Sequence, residues 1–266
     1  MIIVKVGGGK DINLDFVCED FAFLIKKERA ILVHGGHDKR DEIAKKLGHP
    51  IKTITSPSGI TSVYTDEKTM EIFLMAYPGL TNKKIVAKLQ GLGVNAVGLC
   101  GADGGLWQGK RKEAIFAKEG KKIKLIRDDL SGKVEKINTK LLEILLKENF
   151  VPVVCPPAIT YRGEIINVDS DPVVVQMAKE LKAEKVIFLF EAPGLLRDEK
   201  DEKSLISHIP KEKIEEYLKY AKGRMKRKIL AAKEAIDGGV KEIYFGDGRI
   251  KNPITLVLQG KGTLIS

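Results

Sequence analysis

An α/β fold with a mainly parallel sheet is predicted by three features of this 266-residue sequence. Strand-like and helix-like segments alternate almost throughout, which calls for crossover connections. A segment such as Val186 to Phe190 is apolar at every position, the pattern of a strand buried on both faces. Two strands run straight into consecutive glycines, Val4-Lys5-Val6-Gly7-Gly8-Gly9 and Val33-His34-Gly35-Gly36-His37. Such turns put bare backbone at the mouth of a parallel sheet.

Residues 2–6 form the first strand. A helix from about Asn13 carries Leu14, Val17, Cys18, Phe21, Leu24 and Ile25 at three- and four-residue steps, one apolar stripe. Strand 30–34 follows. Helices near 38–47, 66–76 and 81–91 lead to a strand from Val94 to Cys100, after which Gly101-Ala102-Asp103-Gly104-Gly105 turns the chain. The stretch 106–137 differs: short alternating runs (Glu113 to Ala117, Lys122 to Ile126, Val134 to Ile137) predict antiparallel hairpins standing off the main sheet. Helix 138–148 and the strand Val151 to Cys155 end at Pro156-Pro157, where regular structure must stop. That point divides the chain into lobes 1–157 and 158–266 of one continuous domain.

In the second lobe a hairpin over Ala158 to Ile166 precedes a helix with the stripe Val174, Met177, Ala178 and Leu181. The strand Val186 to Phe190 ends at Glu191, followed by Ala192-Pro193-Gly194 and an irregular charged segment. A helix is expected from 210 and a second from about 223, with Met225, Ile229, Ala232 and Ile236 inward. Strand Ile243 to Phe245 and a short strand near Thr263 complete the pattern. There is no internal repeat and no low-complexity tract.

With 43% hydrophobic and 31% charged residues the composition is that of a soluble globular protein with a large core. No apolar run approaches the roughly 20 residues that span a bilayer, and Met1 to Val6 is too short for a signal-peptide core, so a cytoplasmic location is expected. Cys18, Cys100 and Cys155 lie scattered in apolar segments and read as buried small hydrophobes. The net charge of +10 gathers in two clusters, Lys110 to Lys124 and Lys219 to Lys228. Aromatics are only 6% and do not interleave with the clusters, which argues against nucleic acid. Acidic protein or polyphosphate partners suit them better; a merely solvated face is the alternative.

The two glycine turns read as phosphate holders, with Lys5 just before the first. Neither is a Walker A loop nor a complete G-x-G-x-x-G. In Asn167-Val168-Asp169-Ser170-Asp171-Pro172, proline favours the first helical position and makes Asp171 a natural N-cap. Capping alone would explain this aspartate; its second oxygen could also reach a sheet-end crevice and hold lysines. Lys228, on a helix with Arg224 and Arg227, is a candidate for such a lysine, ordinary surface charge being the other reading. His34 and His37, near Asp38 and Asp41, straddle a turn rather than sharing a helix face, which argues against a metal pair. A G-x-S-x-G elbow is missing, which argues against a hydrolase.

Taken in order, these residues resemble the amino acid kinase family, in the branch of N-acetylglutamate kinases and of kinases acting on carrier-linked aminoadipate or glutamate. The resemblance covers nearly the whole chain. Its markers are Lys5-Val6-Gly7-Gly8, His34-Gly35-Gly36, Ser58-Gly59 leading to Tyr64-Thr65-Asp66, Asn82-Lys83, and Val94 to Leu99 before Gly101-Ala102-Asp103-Gly104. Gly132-Lys133-Val134, Asn167 with Asp171, and Met225 with Lys228, Ala231 and Ala232 complete the set.

The resemblance implies a three-layer αβα sandwich of carbamate-kinase type, with the acyl acceptor on the first lobe, ATP on the second, and a homodimer. It implies Mg2+ held largely by phosphates and water, with no protein metal site. Lys5 and Lys228 would stabilise the transferring phosphoryl group and Asp171 would organise the two lysines. Gly8, Gly35 and Gly36 would offer amides. Gly7, Gly8, Glu191 and Gly194 would line the nucleotide site. Gly35, Gly36, Thr61 and Asn167 would face the acceptor. The implied partner is a small acidic LysW-like carrier protein bearing the substrate, in lysine or arginine biosynthesis. Free N-acetylglutamate as acceptor, or a non-catalytic homologue that binds nucleotide or protein, are the alternatives.

Five positions depart from the family's pattern. Thr61 and Val63 stand where relatives carry arginines, the first of which grips the substrate's α-carboxylate. His37 replaces a third glycine, and Phe190-Glu191 replaces a Ser/Thr-Asp pair. Lys52, Ser56, Ser58 and Tyr64 are the nearby candidates to replace the lost arginine.

Overall fold

In the computed structural model, residues 1–57, 59, 61–120 and 122–266 are described, all with side chains except Glu119. Ser58 lies outside them, as does Lys121 of the first basic cluster. The first part of the chain runs β1 (Ile2–Val6), α1 (Leu14–Leu24), β2 (Ala30–His34), α2 (His37–Lys46), the hairpin β3 (Thr53–Thr55) and β4 (Thr61–Val63), α3 (Glu67–Leu74), α4 (Asn82–Gly91) and β5 (Ala96–Cys100). Then follow β6 (Trp107–Arg111), β7 (Ile115–Glu119), β8 (Lys122–Ile126), β9 (Gly132–Ile137), α5 (Thr139–Lys147) and β10 (Val151–Cys155). The remainder contains β11 (Ala158–Thr160), β12 (Ile165–Ile166), α6 (Ser170–Glu180), β13 (Lys185–Phe190), β14 (His208–Ile209), α7 (Ile214–Tyr217), α8 (Gly223–Asp237), β15 (Glu242–Asp247), α9 (Pro253–Leu258) and β16 (Thr263–Ile265).

Eight strands from both halves make one sheet in the order β14-β16-β15-β13-β1-β2-β10-β5. Every pairing in it is parallel except β15 with β16. Alternation along β1 and β2 explains why they read as continuous apolar runs. Ile3, Ile31 and Val33 enter one core, while Ile2, Val4, Leu32 and Val6 enter the other. Helices α5, α6 and α8 cover the first face, and α1, α4 and α9 the second, which makes the αβα sandwich. Each fully buried Ile or Leu contributes about 1.5–3 kcal/mol relative to an exposed one, so both faces matter to stability.

Four smaller strands form a second sheet, β12-β11-β6-β9, and β7–β8 is a separate two-stranded hairpin. The departure of 106–137 from the main sheet was legible; the strand Trp107–Arg111 was not. Its register shifts between Gln108 and Gly109, and a Cβ on Gly109 would stand 2.0 Å from the Lys133 carbonyl oxygen. Strand β6 also pairs with β11, so this small sheet links residues on both sides of Pro156-Pro157.

Three other sequence expectations change. The helix expected from 210 is one α-helical stretch of four residues, Ile214–Tyr217, between 3-10 turns. Strand β14 sits inside the segment read as irregular, where it joins β16 at the sheet edge. Helix α9 was passed over although Pro253 stands at its first position; its side-chain cap is remote, Asp20 on α1 accepting from Thr255 N at 2.7 Å and Thr255 Oγ1 at 2.5 Å. Between α3 and α4 the chain never leaves helical form. A π-helical turn, Met75–Thr81, absorbs Pro78 and carries Tyr77 beneath the second glycine turn.

Candidate active site

At the C-terminal ends of β1 and β2, where a parallel sheet opens its crevice, three charged side chains meet. Lys5 comes from β1, Asp171 from the first turn of α6, and Lys228 from the second turn of α8. Lys228 Nζ donates to Asp171 Oδ2 at 2.6 Å, and Lys5 Nζ lies 2.9 Å from Asp171 Oδ1. The second contact is an ion pair without directed hydrogen-bond geometry. The three side chains are only 9–13% exposed. Burial alone would raise the Asp171 pKa, but the two ammonium groups outweigh it and hold the carboxyl well below the usual range. For Lys228, burial and then the neighbouring Lys5 lower the pKa. Its Nζ also rests 5.6 Å and 5.5 Å from the ring centroids of Phe188 and Phe190.

Asp171 does not cap its helix, contrary to the sequence reading. The helix starts two residues earlier, and Asp169 is the N-cap, accepting from Asp171 N at 3.1 Å. Pro172 at the third helical position has no N–H to offer, so the cap takes the one before it. The consequence is functional: Asp171 keeps both oxygens for the lysines. Arg227, one residue from Lys228, points instead to Asp169 at 3.5 Å.

The two glycine turns interlock beside this clamp. A Cβ on Gly8 would stand 2.2 Å from Gly36 N and 2.7 Å from His37 N, and one on Gly35 would stand 2.8 Å from Gly8 N. Asp38 N donates to Gly8 O at 2.9 Å, tying the start of α2 to the first turn. The amides divide into two groups. Gly7 N is committed to Leu189 O at 2.8 Å and Gly35 N to Val6 O at 2.9 Å, extending the sheet ladders. Gly35 therefore cannot offer the amide expected of it. Among the described residues, the amides of Gly8, Gly9, Gly36 and His37 have no hydrogen-bond acceptor in the protein. Gly36 lies over Tyr77, whose ring would meet a Cβ there at 3.2 Å.

His34, at the end of β2, is fully buried and behind the turn. Its Nδ1 lies 2.8 Å from Gly35 O and its Nε2 lies 3.1 Å from Asn82 Nδ2, which also donates to Val153 O at 2.9 Å. Lys83 Nζ donates to Asn82 Oδ1 at 3.2 Å and to Gly98 O at 3.1 Å. Burial, opposed by the Gly35 contact, pushes the His34 pKa down to about 4. His37 sits at the start of α2, its pKa lowered by burial and then by the positive charge of Arg224 and Arg40.

The remaining candidates lie around this centre. Glu191 sits against Gly9, whose Cβ would come within 2.2 Å of the carboxylate, and accepts from Asp11 N at 3.1 Å; it braces the first turn. Gly194 packs on Thr263, whose Oγ1 accepts from Leu195 N at 2.8 Å. The Asn167 backbone is stitched between Leu130 and Gly132, and its Nδ2 donates to Thr65 Oγ1 at 2.9 Å. Thr61 is exposed on the β3–β4 hairpin, with its Oγ1 3.0 Å from that of Thr55. Val63 turns into the cluster of Met70 and Phe73. Of the candidates to replace an arginine, Tyr64 already donates to Asp128 Oδ2 at 2.5 Å.

Sequence reasoning named Thr65 and Asn82 only as motif members, without a role, and missed Asp129. Asp129 accepts from Thr65 N at 2.9 Å and Ser131 N at 2.7 Å, while Arg111 Nε donates to the Asp129 carbonyl at 2.9 Å. Membership of the quoted motifs was the signal for Thr65 and Asn82; Asp129, in the polar run Arg127-Asp128-Asp129, had none. Among the described residues, no three His, Cys, Asp or Glu side chains gather as a metal site, and no helix is long and apolar enough to cross a membrane. Two lysines bridged by one carboxylate, beside uncommitted amides, can neutralise a polyanion and hold its oxygens.

A profile of the amino acid kinase family matches residues 1–247. The LysW-aminoadipate kinase of Deinococcus radiodurans is 50% identical over 267 residues, covering 100% of this chain and 91% of its own length. That of Thermus thermophilus is 47% identical, covering 100% of both. The LysW-aminoadipate/LysW-glutamate kinase of Saccharolobus islandicus is 35% identical, covering 100% of this chain and 99% of its own. Among solved structures, N-acetylglutamate synthase from Neisseria gonorrhoeae superposes with a TM-score of 0.79 at 21% identity, over 100% of this chain and 59% of that one. Carbamate kinase from Giardia lamblia gives 0.68 at 14% identity, over 99% and 98%. These two likenesses speak for the fold.

Proposed function

The chain belongs to the amino acid kinase family, and from that premise we propose that it phosphorylates the side-chain carboxylate of aminoadipate or glutamate linked to a LysW-like carrier protein. It is a phosphotransferase with a carboxyl group as acceptor. One acceptor oxygen forms a bond to the γ-phosphorus of ATP, the bond from that phosphorus to the bridging oxygen breaks, and ADP leaves with its electrons. The observation that carries this reading is the Lys5–Asp171–Lys228 clamp beside the free amides of Gly8 and Gly36.

A side-chain carboxylate with a pKa of about 4.3 is ionised at neutral pH. No general base is required, and the work is positioning plus charge neutralisation. The clamp suits that task because Asp171 keeps two buried ammonium groups side by side, both able to turn toward a phosphoryl oxygen. Mg2+ in this reading is held by phosphate oxygens and water, since both Asp171 oxygens are committed to lysines. The acceptor occupies the lobe 1–157, near Gly36, Asn167 and the hairpin with Thr61. ATP occupies 158–266, along Gly7, Gly8, Glu191 and Gly194. The exposed Lys222, Arg224 and Lys226, at the end of α8 nearest the clamp, suit an acidic carrier. Lysine or arginine biosynthesis, a cytoplasmic location and a homodimer belong to the same proposal.

The test is incubation with MgATP, carrier-linked aminoadipate or glutamate, and hydroxylamine, which traps acyl phosphates. Carrier-bound hydroxamate is the expected result. Hydroxamate with free N-acetylglutamate alone would overturn the carrier; tight ATP binding with no turnover on any carboxylate would overturn the transfer.

A further inference from the structure

The second glycine turn holds an amide with no acceptor among the described residues, that of Gly36, and a fully buried histidine touching the preceding carbonyl. These two facts are connected through one peptide plane. Gly35 O and Gly36 N–H belong to the same peptide unit, and among the described residues the single cis bond is Pro156-Pro157, so this unit is trans. In a trans peptide the C=O and N–H point in opposite directions. Whatever fixes the Gly35 carbonyl therefore aims the Gly36 amide.

The hydrogen-bond network sets the histidine's tautomer without ambiguity. A carbonyl oxygen only accepts, so Nδ1 carries the proton and donates to Gly35 O at 2.8 Å. Asn82 Nδ2 has two protons, one for Val153 O and one for His34 Nε2, which accepts. The amide orientation of Asn82 is set in turn by Lys83, which donates to Asn82 Oδ1. Glycine at 35 has no side chain to restrict its backbone, so an external restraint is what keeps the plane from rotating.

We propose that His34 is a positioning residue for phosphoryl transfer: its Nδ1–H pins the Gly35 carbonyl so that the Gly36 amide points into the cleft at the transferring group. The inference rests on the kinase reading above. A donor already aimed at the developing charge needs no reorganisation as the reaction proceeds, which is where such donors gain their effect. His34 touches no reacting atom and takes up no proton in the reaction. Asn82 and Lys83 serve the same plane one step further back, by holding the imidazole in its Nδ1–H form.

The test uses two amide side chains that mimic different ring nitrogens. In His34→Asn the side-chain N–H2 falls near the place of Nδ1 and can still donate to Gly35 O. In His34→Gln it falls near Nε2 and cannot. Turnover per MgADP-binding site should stay within about 3-fold of the parent in His34→Asn and fall about 100-fold in His34→Gln and His34→Leu, the scale of one lost oxyanion donor. The KM values should change little. MgADP binding should be kept in all three, while the tightening caused by aluminium fluoride, a planar phosphoryl mimic, is lost in His34→Gln and His34→Leu only. Loss of solubility in one variant leaves the contrast to the others, and the fluoride measurement reads the amide without turnover. Equal loss in His34→Asn and His34→Gln, or full fluoride tightening in His34→Leu, would overturn the proposal. A parent that tightens on fluoride yet phosphorylates no carboxylate would overturn the kinase reading instead.

Discussion

Lys228 Nζ lies 2.6 Å from Asp171 Oδ2, although the lysine comes from α8 and the aspartate from α6, 57 residues earlier. With Lys5 on the other oxygen, one buried carboxylate balances two buried cations.

Replacing Asp171 with Asn should therefore leave two ammonium groups facing each other without compensation. Breaking a buried ion pair from one side costs about 3–5 kcal/mol. Urea unfolding should show a midpoint shifted down accordingly, and turnover should fall with it. An unchanged midpoint would show that the lysines find other partners.

Lys5→Ala and Lys228→Ala should each lower kcat by about 100- to 1,000-fold, the range for one electrostatic donor to a transition state. The double variant should lose less than the product of the two, since both act through the same group. Steady-state kinetics of the three proteins measures this. Turnover unchanged in either single variant removes that lysine from the clamp.

The glycine turns give a steric contrast. In Gly8→Ala the new methyl meets backbone, Gly36 N at 2.2 Å, which cannot move without unlocking the second turn. In Gly9→Ala it meets the Glu191 carboxylate at 2.2 Å, the far end of an exposed, flexible side chain. Gly8→Ala should be inactive and less stable, and Gly9→Ala much milder in both; thermal melting and turnover separate them. The reverse order would mean the turns are not interlocked.

Stability should depend on pH through His34. Its pKa falls from 6.5 to about 4 on folding because burial disfavours the imidazolium. Between these values the unfolded chain binds more protons, so stability is complete above about pH 6.5 and declines as pH drops toward 4, by about 3 kcal/mol in all. Asp171 acts lower: its depressed folded pKa adds stability that is present above about pH 4 and lost as pH falls further. His34→Asn should reduce the slope of the upper window to what His37, also lowered by burial, contributes, and leave the lower one. Equal slopes between pH 6.5 and 4 in parent and variant would contradict this.

What was legible in the sequence was local necessity. Glycines that must let two backbones touch, and strands apolar on both faces, declare themselves within a few residues, as Gly8 and β13 did. Asp171 and Lys228 could be named as partners, but not the reason Asp171 is available, because capping by Asp169 turns on the missing N–H of Pro172. Interactions at long range left no trace: Asp20 capping α9 from 235 residues away, Tyr77 supporting Gly36, and Asn82 steering His34. Glu191 was expected beside nucleotide, but its bracing of Gly9 and Asp11 was not foreseen. Side-chain reach at a strand end is decided by neighbours, not by the strand.

Strand β1 leaves the ribosome before both of its neighbours, yet in the finished sheet it lies between them, β2 on one side and β13 on the other. During synthesis Lys5 thus emerges long before the strand that closes over its other side, and before either α6 or α8 exists. Long-range pairing of this kind is slow to form and leaves an open strand edge in the meantime. A nascent or truncated chain ending before residue 228 has no complete clamp whatever else it folds, so the phosphoryl transfer proposed above would wait for the finished protein.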